Sequence, residues 1–159
     1  MIKLTWLIAY IASIALVNVA FTYLPHISLG DHGILPAATF LVGLIFIIRD
    51  YAQRSAGHIV LAAMAVGIAI SYVMADPMVA IASGAAFAVS ELADWAVFTI
   101  TKRPLRERIL ISSAVSAPLD TIIFLALLPF EGTLNAVAVI VMVAVKMVGA
   151  LIIFAGLRR

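Results

Sequence analysis

The sequence predicts an all-α integral membrane protein, built as a single domain of six transmembrane helices over residues 1–159. Composition is the first observation that predicts this fold class. Hydrophobic residues make up 65% of the chain and charged residues 11%, whereas soluble domains have about 45–50% and about 25%. So few charged residues cannot cover a soluble core, and the mean hydropathy of +1.22 excludes a disordered chain.

Long, continuous apolar runs are the second observation, because a membrane-spanning helix needs about 20 such residues. The strands of a membrane β-barrel would instead alternate between apolar and polar residues. The predicted spans cover residues 4–24, 34–48, 59–75, 78–101, 109–130 and 134–157. The first run is longer than the apolar core of a signal peptide, about 7–15 residues, so we expect it to be retained.

Charge placement is the third observation. With both termini in the cytoplasm, nine of the ten basic residues fall on the cytoplasmic side. They are Lys3, Arg49, Arg54, Lys102, Arg103, Arg106, Arg108, Arg158 and Arg159. The opposite loops contain Asp31, Asp76 and Glu131 but no lysine or arginine. This bias predicts cytoplasmic N- and C-termini. It also predicts that the basic residues responsible for the net charge of +2 contact membrane lipid rather than nucleic acid.

Four ionisable residues, Glu91, Asp94, Asp120 and Lys146, lie inside the predicted spans. At 1.5 Å per residue each lies about 10–17 Å from a span end, near the middle of a hydrocarbon core about 30 Å thick. An unpaired charge at that depth costs about 2.5–3.5 kcal/mol. Their convergence predicts a central substrate-binding site, whereas the alternative is that Lys146 pairs with one acid only to hold the bundle together.

Uncharged neighbours complete this predicted substrate-binding site. Ser90 and Ser116 each precede an acid by four residues and share its helix face, although such serines often bond their own backbone. Trp95, Phe98 and Phe124 lie at a similar depth and offer rings on which a flat ligand can stack, or else they are packing residues.

The polar segment RDYAQRSAGH after the second span is predicted to be a loop. Within it, Asp50 and Arg54 are candidates for a cytoplasmic gate, with a solvated loop as the alternative. Pro118 predicts a kink two residues before Asp120. The chain has no cysteine, no metal-ligand spacing, no nucleotide-binding motif and no nucleophile–base pair, so we expect no metal, no cofactor and no enzymatic activity.

Two segments carry a recognisable pattern, SGAAFAVSELADWAVF at residues 83–98 and SSAVSAPLDTIIFLALLPF at residues 112–130. Their characteristic elements are Ser90-x-x-x-Asp94 and Asp120-Thr121-x-x-Phe124, preceded after the second span by Arg49-Asp50-x-x-Gln53-Arg54-x-x-Gly57. In order and spacing these elements resemble the queuosine precursor transporter family, also called the vitamin uptake transporter (VUT) family. The resemblance covers most of residues 40–130.

This resemblance implies a six-span protein of the cell inner (plasma) membrane that imports a 7-deazaguanine such as preQ0 or preQ1. The chain departs from the family at Glu91 and Ala117, where many members have glutamine, and it is shorter around the first three spans. An additional acid would favour the cationic preQ1, or would carry a proton.

A carboxylate suits such a ligand because it accepts hydrogen bonds from a ring N–H and an exocyclic amine together. We expect Asp94 and Asp120 to hold this edge, Glu91 to assist or carry a proton, and Lys146 to balance charge. Two alternatives stay open, a substrate-binding subunit of an ATPase-driven multi-component vitamin importer and a role outside transport. A homo-oligomer and a partner subunit also stay open.

Overall fold

The computed structural model describes residues 2–74, 80–128 and 134–156, which form six α-helices and one short β-hairpin. The helices are α1 (Ile2–Tyr23), α2 (Thr39–Ala56), α3 (Val60–Met74), α4 (Ala80–Ile100), α5 (Leu105–Leu127) and α6 (Ala136–Gly156). The hairpin strands are β1 (His26–Ser28) and β2 (Ile34–Pro36), joined through a 3₁₀ turn at Gly30–His32. A second 3₁₀ turn, Gly57–Ile59, joins α2 to α3.

Five helical stretches in the described residues are long and apolar enough to cross a membrane. They are Leu4–Tyr23, Thr39–Met74, Ala80–Ile100, Leu105–Leu127 and Ala136–Gly156. They support the predicted all-α, multi-pass membrane protein. The second stretch has 36 residues and contains both α2 and α3.

The chain reverses direction between α2 and α3. Near the start of α1, Trp6 stacks on Tyr51 at the end of α2, with 4.9 Å between ring centroids. The same part of α1 shares a surface groove with Ile59 and the first turns of α3. Gly57 permits the reversal because its φ of 66° lies in the left-handed region that favours glycine. Helices α2 and α3 are therefore two antiparallel elements.

The bundle has two ends that differ in chemistry. At one end α1, α3 and α5 finish, α2, α4 and α6 begin, and the hairpin lies between α1 and α2; we call this the hairpin end. The other holds the α4–α5 connection, with the exposed Lys102 and Arg103; we call this the basic end.

The predicted second span, residues 34–48, is wrong at both ends. Residues 34–36 form strand β2, and helix α2 begins at Thr39 and continues to Ala56. The segment predicted as a loop is therefore mostly helical, and Arg49 and Asp50 within it are fully buried. A hydropathy average treats charged residues as exposed to solvent, because it does not take account of ion-pair partners on other helices. Arg49 does not belong among the loop cations.

Several predicted topology residues lie outside the described part of the chain. They are Asp76, Glu131, Arg158, Arg159 and the side chain of Lys3. The predicted ends of the spans at residues 75, 78, 130 and 157 also fall outside it.

The hairpin forms the connection between α1 and α2. Its antiparallel register pairs His26 with Pro36 and Ser28 with Ile34. Gly33, at φ 96°, accepts a 2.8 Å hydrogen bond from the Leu29 N–H and so closes the turn. The side-chain amide of Asn135, just before α6, donates a 3.2 Å hydrogen bond to the His32 carbonyl and tethers the hairpin to the bundle.

Candidate functional site

A cavity of about 840 Å³ occupies the hairpin half of the bundle. All six helices and the hairpin contribute to its lining. Its aromatic side chains are Phe21, Phe87 and Phe124, and polar groups include Asn18, Thr39, Ser71, Ser83, Asp120, Asn135 and Lys146. Cavities of about 300–1,000 Å³ with apolar walls and a few convergent polar groups are typical of small-molecule sites.

A charged pair forms the polar part of the lining nearest the middle of the bundle. The Lys146 Nζ lies 2.6 Å from Asp120 Oδ2 and donates a second bond of 2.8 Å to Thr121 Oγ1. The side chain of Lys146 is 2% exposed and that of Asp120 is 13% exposed. Asp120 therefore presents a carboxylate to the cavity, while the ammonium that compensates it stays enclosed.

Close approach of two helices positions Lys146. A Cβ on Gly43 of α2 would collide with the backbone carbonyl of Lys146 on α6, so only glycine permits this approach. On α5, Pro118 lies inside the helix two residues before Asp120, where it removes one helical N–H donor. Gly43 on α2 and Pro118 on α5 thus contribute to the positions of Lys146 and Asp120.

A second cluster is centred on Arg49, and we call Arg49, Asp50, Glu91 and Asp94 the Arg49 cluster. The guanidinium forms an ion pair with Asp94, lies 3.1 Å from Asp50 Oδ1 through Nη2, and lies 3.8 Å from Glu91 Oε2 through Nε. All four side chains are fully buried. The cluster joins α2 to α4 inside the bundle.

Polar side chains on three helices surround the carboxylates. The Tyr10 hydroxyl of α1 donates to Glu91 Oε2, and the Ser112 hydroxyl of α5 donates to Asp50 Oδ2 at 3.0 Å. Arg49 donates to the amide oxygen of Gln53. These contacts satisfy part of the cluster's hydrogen-bonding capacity and fix α1, α2, α4 and α5 to one another.

The structure divides the four predicted intramembrane charges between two sites. Asp120 and Lys146 line the cavity, whereas Glu91 and Asp94 belong to the Arg49 cluster and are outside the cavity lining. Ser90 connects the two because its hydroxyl donates to Asp120 Oδ1 at 3.2 Å, and Glu91 is its neighbour in sequence. The prediction of one shared site is corrected to two adjacent sites, because Arg49 attracts two of the acids.

The remaining predicted binding residues do not all lie in the cavity lining. Phe124 lines the cavity. Trp95 meets His58 edge-on, at 5.6 Å between ring centroids, and Phe98 lies fully buried under the guanidinium of Arg108 at 3.8 Å. Neither Trp95 nor Phe98 is part of the cavity lining. Ser116 is fully buried, and its hydroxyl has no hydrogen-bond partner among the described residues.

The two predicted gate residues are not brought together. Asp50 is fully buried in the Arg49 cluster, while Arg54, one turn later on α2, is exposed at the basic end. Asp50 lies one turn farther from the basic end, where it pairs with Arg49 and accepts from Ser112 of α5, and no ion pair joins it to Arg54 in the described part of the chain.

Sequence reasoning assigned no role at the site to Arg49, Tyr10, Gln53 or Thr121, although Arg49, Gln53 and Thr121 stand in the quoted motifs. The spacing of Arg49 and Gln53, four residues apart, places both on one helix face and was a usable signal for a continued helix. Tyr10 gave no such signal, because a tyrosine in an apolar run is also typical of a membrane interface.

Comparison with protein-family models, with curated proteins and with solved structures finds no match for this chain. The resemblance to the queuosine precursor transporter family thus depends on the motifs quoted above.

Proposed function

We propose that the chain is an inner-membrane uptake transporter for a queuosine precursor, a 7-deazaguanine such as preQ0 or preQ1. The observation that carries this proposal is the cavity that ends on the carboxylate of Asp120. A guanine-like edge presents a ring N–H and an exocyclic amine, and one carboxylate accepts both in a charge-assisted, bidentate manner.

The cavity lining supports a flat, polar ligand. Phe87 and Phe124 lie on α4 and α5, and both belong to the same cavity as Asp120. Aromatic faces at this position can stack on a planar ring while the carboxylate selects its polar edge. Lys146 offsets the cost of burying the carboxylate and keeps its charge in place. The ligand role expected of Asp94 and Asp120 together is proposed for Asp120 alone, because Asp94 is paired with Arg49.

The proposed topology has six membrane spans, with the basic end in the cytoplasm and the hairpin end outside. The exposed cations Arg54, Lys102 and Arg103 at one end agree with the positive-inside rule. With this orientation the cavity reaches toward the outside, and the Arg49 cluster lies on its cytoplasmic side. A ligand would thus enter from the outside past the hairpin.

Ligand binding is tested by thermal unfolding of the purified protein with preQ0, preQ1 or queuine. A ligand that binds only the folded protein raises the unfolding temperature according to RT ln(1 + [L]/Kd). We expect a rise with at least one base for the native chain and for Glu107→Gln, a matched carboxyl outside the cavity lining. Absence of any rise in the native chain would refute the proposal.

Transport is tested separately by reconstituting the chain alone in liposomes. Accumulation of radiolabelled preQ0 inside the liposomes is expected of an autonomous transporter. Binding without accumulation would instead assign the chain as a substrate-binding subunit that needs an ATPase partner.

A further inference from the structure

The Arg49 cluster carries more negative than positive groups. Arg49 supplies one cation, and three carboxyl groups, those of Asp50, Glu91 and Asp94, lie around it. All four side chains are fully buried. An ionised carboxylate buried without compensation is strongly unfavourable, and such groups are instead neutralised by a proton or a second cation.

The neighbouring helices do not restore this balance within the described residues. Helix α1 contributes Tyr10, a neutral donor to Glu91, and the ammonium of Lys146 on α6 is paired with Asp120 on α5. The ionisable side chain of α3 is the exposed Tyr72.

Two half-buried cations of α5, Arg106 and Arg108, lie at the basic end. The guanidinium of Arg106 lies over the Phe154 ring of α6 at 5.2 Å. Arg108 of α5 is half-buried and donates through Nη2 to the Phe98 carbonyl at 2.6 Å. Arg54 is exposed, and His58 lies against Trp95. Even when Arg108 is counted with Arg49, one carboxyl group remains without a matching charge.

The carboxylate oxygens of the cluster differ in their partners. Glu91 Oε2 accepts from Tyr10, but Glu91 Oε1 is buried and has no hydrogen-bond partner among the described residues. Asp50 Oδ1 and Asp94 Oδ1 also lack a hydrogen-bond partner there, but both residues form ion pairs with Arg49 Nη2. Glu91 Oε2 instead lies 3.8 Å from Arg49 Nε. A protonated carboxyl group would be neutral, which removes the cost of the unmatched charge.

We propose that the Arg49 cluster binds an exchangeable proton, chiefly on Glu91, and that its exchange is coupled to occupancy of the cavity. The proton is taken from and returned to bulk water, so no other reactant is needed. The coupling rests on the proposed function, whereas proton binding itself does not.

Ser90 provides the physical link between the cluster and the cavity. Its hydroxyl donates to Asp120 Oδ1, and its backbone continues directly into Glu91 on α4. A ligand that donates to Asp120 competes with this hydroxyl for Oδ1; the hydroxyl then bonds the Phe87 carbonyl of its own helix, which releases α4 from α5 at this position. Because Glu91 and Asp94 lie on the same helix, a shift of α4 changes their distance from Arg49 and hence the free energy of holding a proton.

Infrared difference spectroscopy of the purified protein tests proton binding without any ligand. We expect the native protein at neutral pH to show the carbonyl stretch of a protonated carboxylic acid, with a shift in D₂O. Glu91→Gln should lose much of this band, and Glu107→Gln should retain it. A native spectrum without the band, or a band that survives Glu91→Gln, would overturn the proposal.

Liposomes with imposed ion gradients test the coupling. We expect an inward proton gradient to raise preQ0 uptake at least about tenfold over no gradient in the native chain, and this stimulation to be lost in Glu91→Gln. Stimulation by a sodium gradient instead would assign the cluster to sodium and overturn the proton proposal. Absence of uptake under every gradient would refute transport by the chain alone, and the infrared result would still decide proton binding.

Discussion

Asp120 and Lys146 illustrate how an apolar bundle accommodates charge. Each lies in a run of apolar residues, and each would be costly to bury alone, but the pair is joined at 2.6 Å and supported by Thr121 and Ser90. The sequence indicated that Lys146 pairs with one of three acids, since intramembrane charges without partners are rare, but it did not indicate which. What it did not indicate is that Arg49 withdraws Asp94 and Glu91 into a separate cluster.

Substitution of one member of the pair should destabilise the protein more than substitution of both. Asp120→Asn leaves the ammonium of Lys146 buried without a counterion, for an expected loss of about 3 kcal/mol. The double variant Asp120→Asn, Lys146→Met removes both charges and should recover most of this stability, measured by thermal unfolding in detergent. If the double variant is no more stable than Asp120→Asn, the two charges do not compensate each other.

Arg49 should be among the residues most sensitive to substitution. Arg49→Gln leaves the carboxyl groups of Asp50, Glu91 and Asp94 without their cation, and breaking a buried pair costs about 3–5 kcal/mol. Arg54→Gln, on the same helix but exposed, should change stability by no more than about 0.5 kcal/mol. Comparable thermal unfolding of the two variants would show that the buried ion pairs contribute little.

The burial of Arg49 could not be predicted from the sequence, for a physical reason. Hydropathy treats each residue as if it faced one medium, so RDYAQRSAGH appears as a solvated loop. Its charges are buried only because Asp94 and Glu91 come from a helix about 40 residues later, and a single sequence does not reveal that pairing.

Helices were predictable as elements because each lies in a long apolar run, and the six predicted runs contain most of α1 through α6 in order. The number of membrane spans stays a prediction, since five stretches of the described residues are long and apolar enough to cross a membrane. The hairpin was not predictable, since strands of three residues are too short to show a period. The reversal at Gly57 was located only approximately, because α2 extends eight residues beyond the predicted end of the second span.

Close contact between α2 and α6 depends on glycines on both helices, Gly43 of α2 and Gly149 of α6. Gly43→Ala would place a Cβ against the Lys146 backbone, and because backbone cannot yield as a side-chain tip does, the helices must separate. We expect a loss of about 1–3 kcal/mol in thermal unfolding experiments.

Gly156→Ala provides the matched control for this prediction. A Cβ on Gly156 would meet no atom within 4 Å, and its φ is not positive, so stability should change by less than about 1 kcal/mol. Equal effects of the two substitutions would contradict the close approach of α2 and α6.

The whole molecule has a testable orientation. The chain contains no cysteine, so single cysteines can be introduced without a background. A cysteine at Ser28, exposed in the hairpin, should react with a membrane-impermeant maleimide on intact cells. One at Lys102, exposed at the basic end, should react only after the cells are permeabilised. The reverse pattern would invert the proposed topology, and labelling of both on intact cells would contradict it.

Direct binding of radiolabelled preQ0 and preQ1 to the purified chain tests most sharply whether the cavity is a 7-deazaguanine site. The proposed role of Asp120 predicts saturable binding of at least one base by the native chain and by Glu107→Gln. In the stabilised double variant Asp120→Asn, Lys146→Met, affinity should fall about 10- to 100-fold, because hydrogen bonds to a charged acceptor are lost. Native affinity in that variant, or no saturable binding by the native chain, would contradict the account.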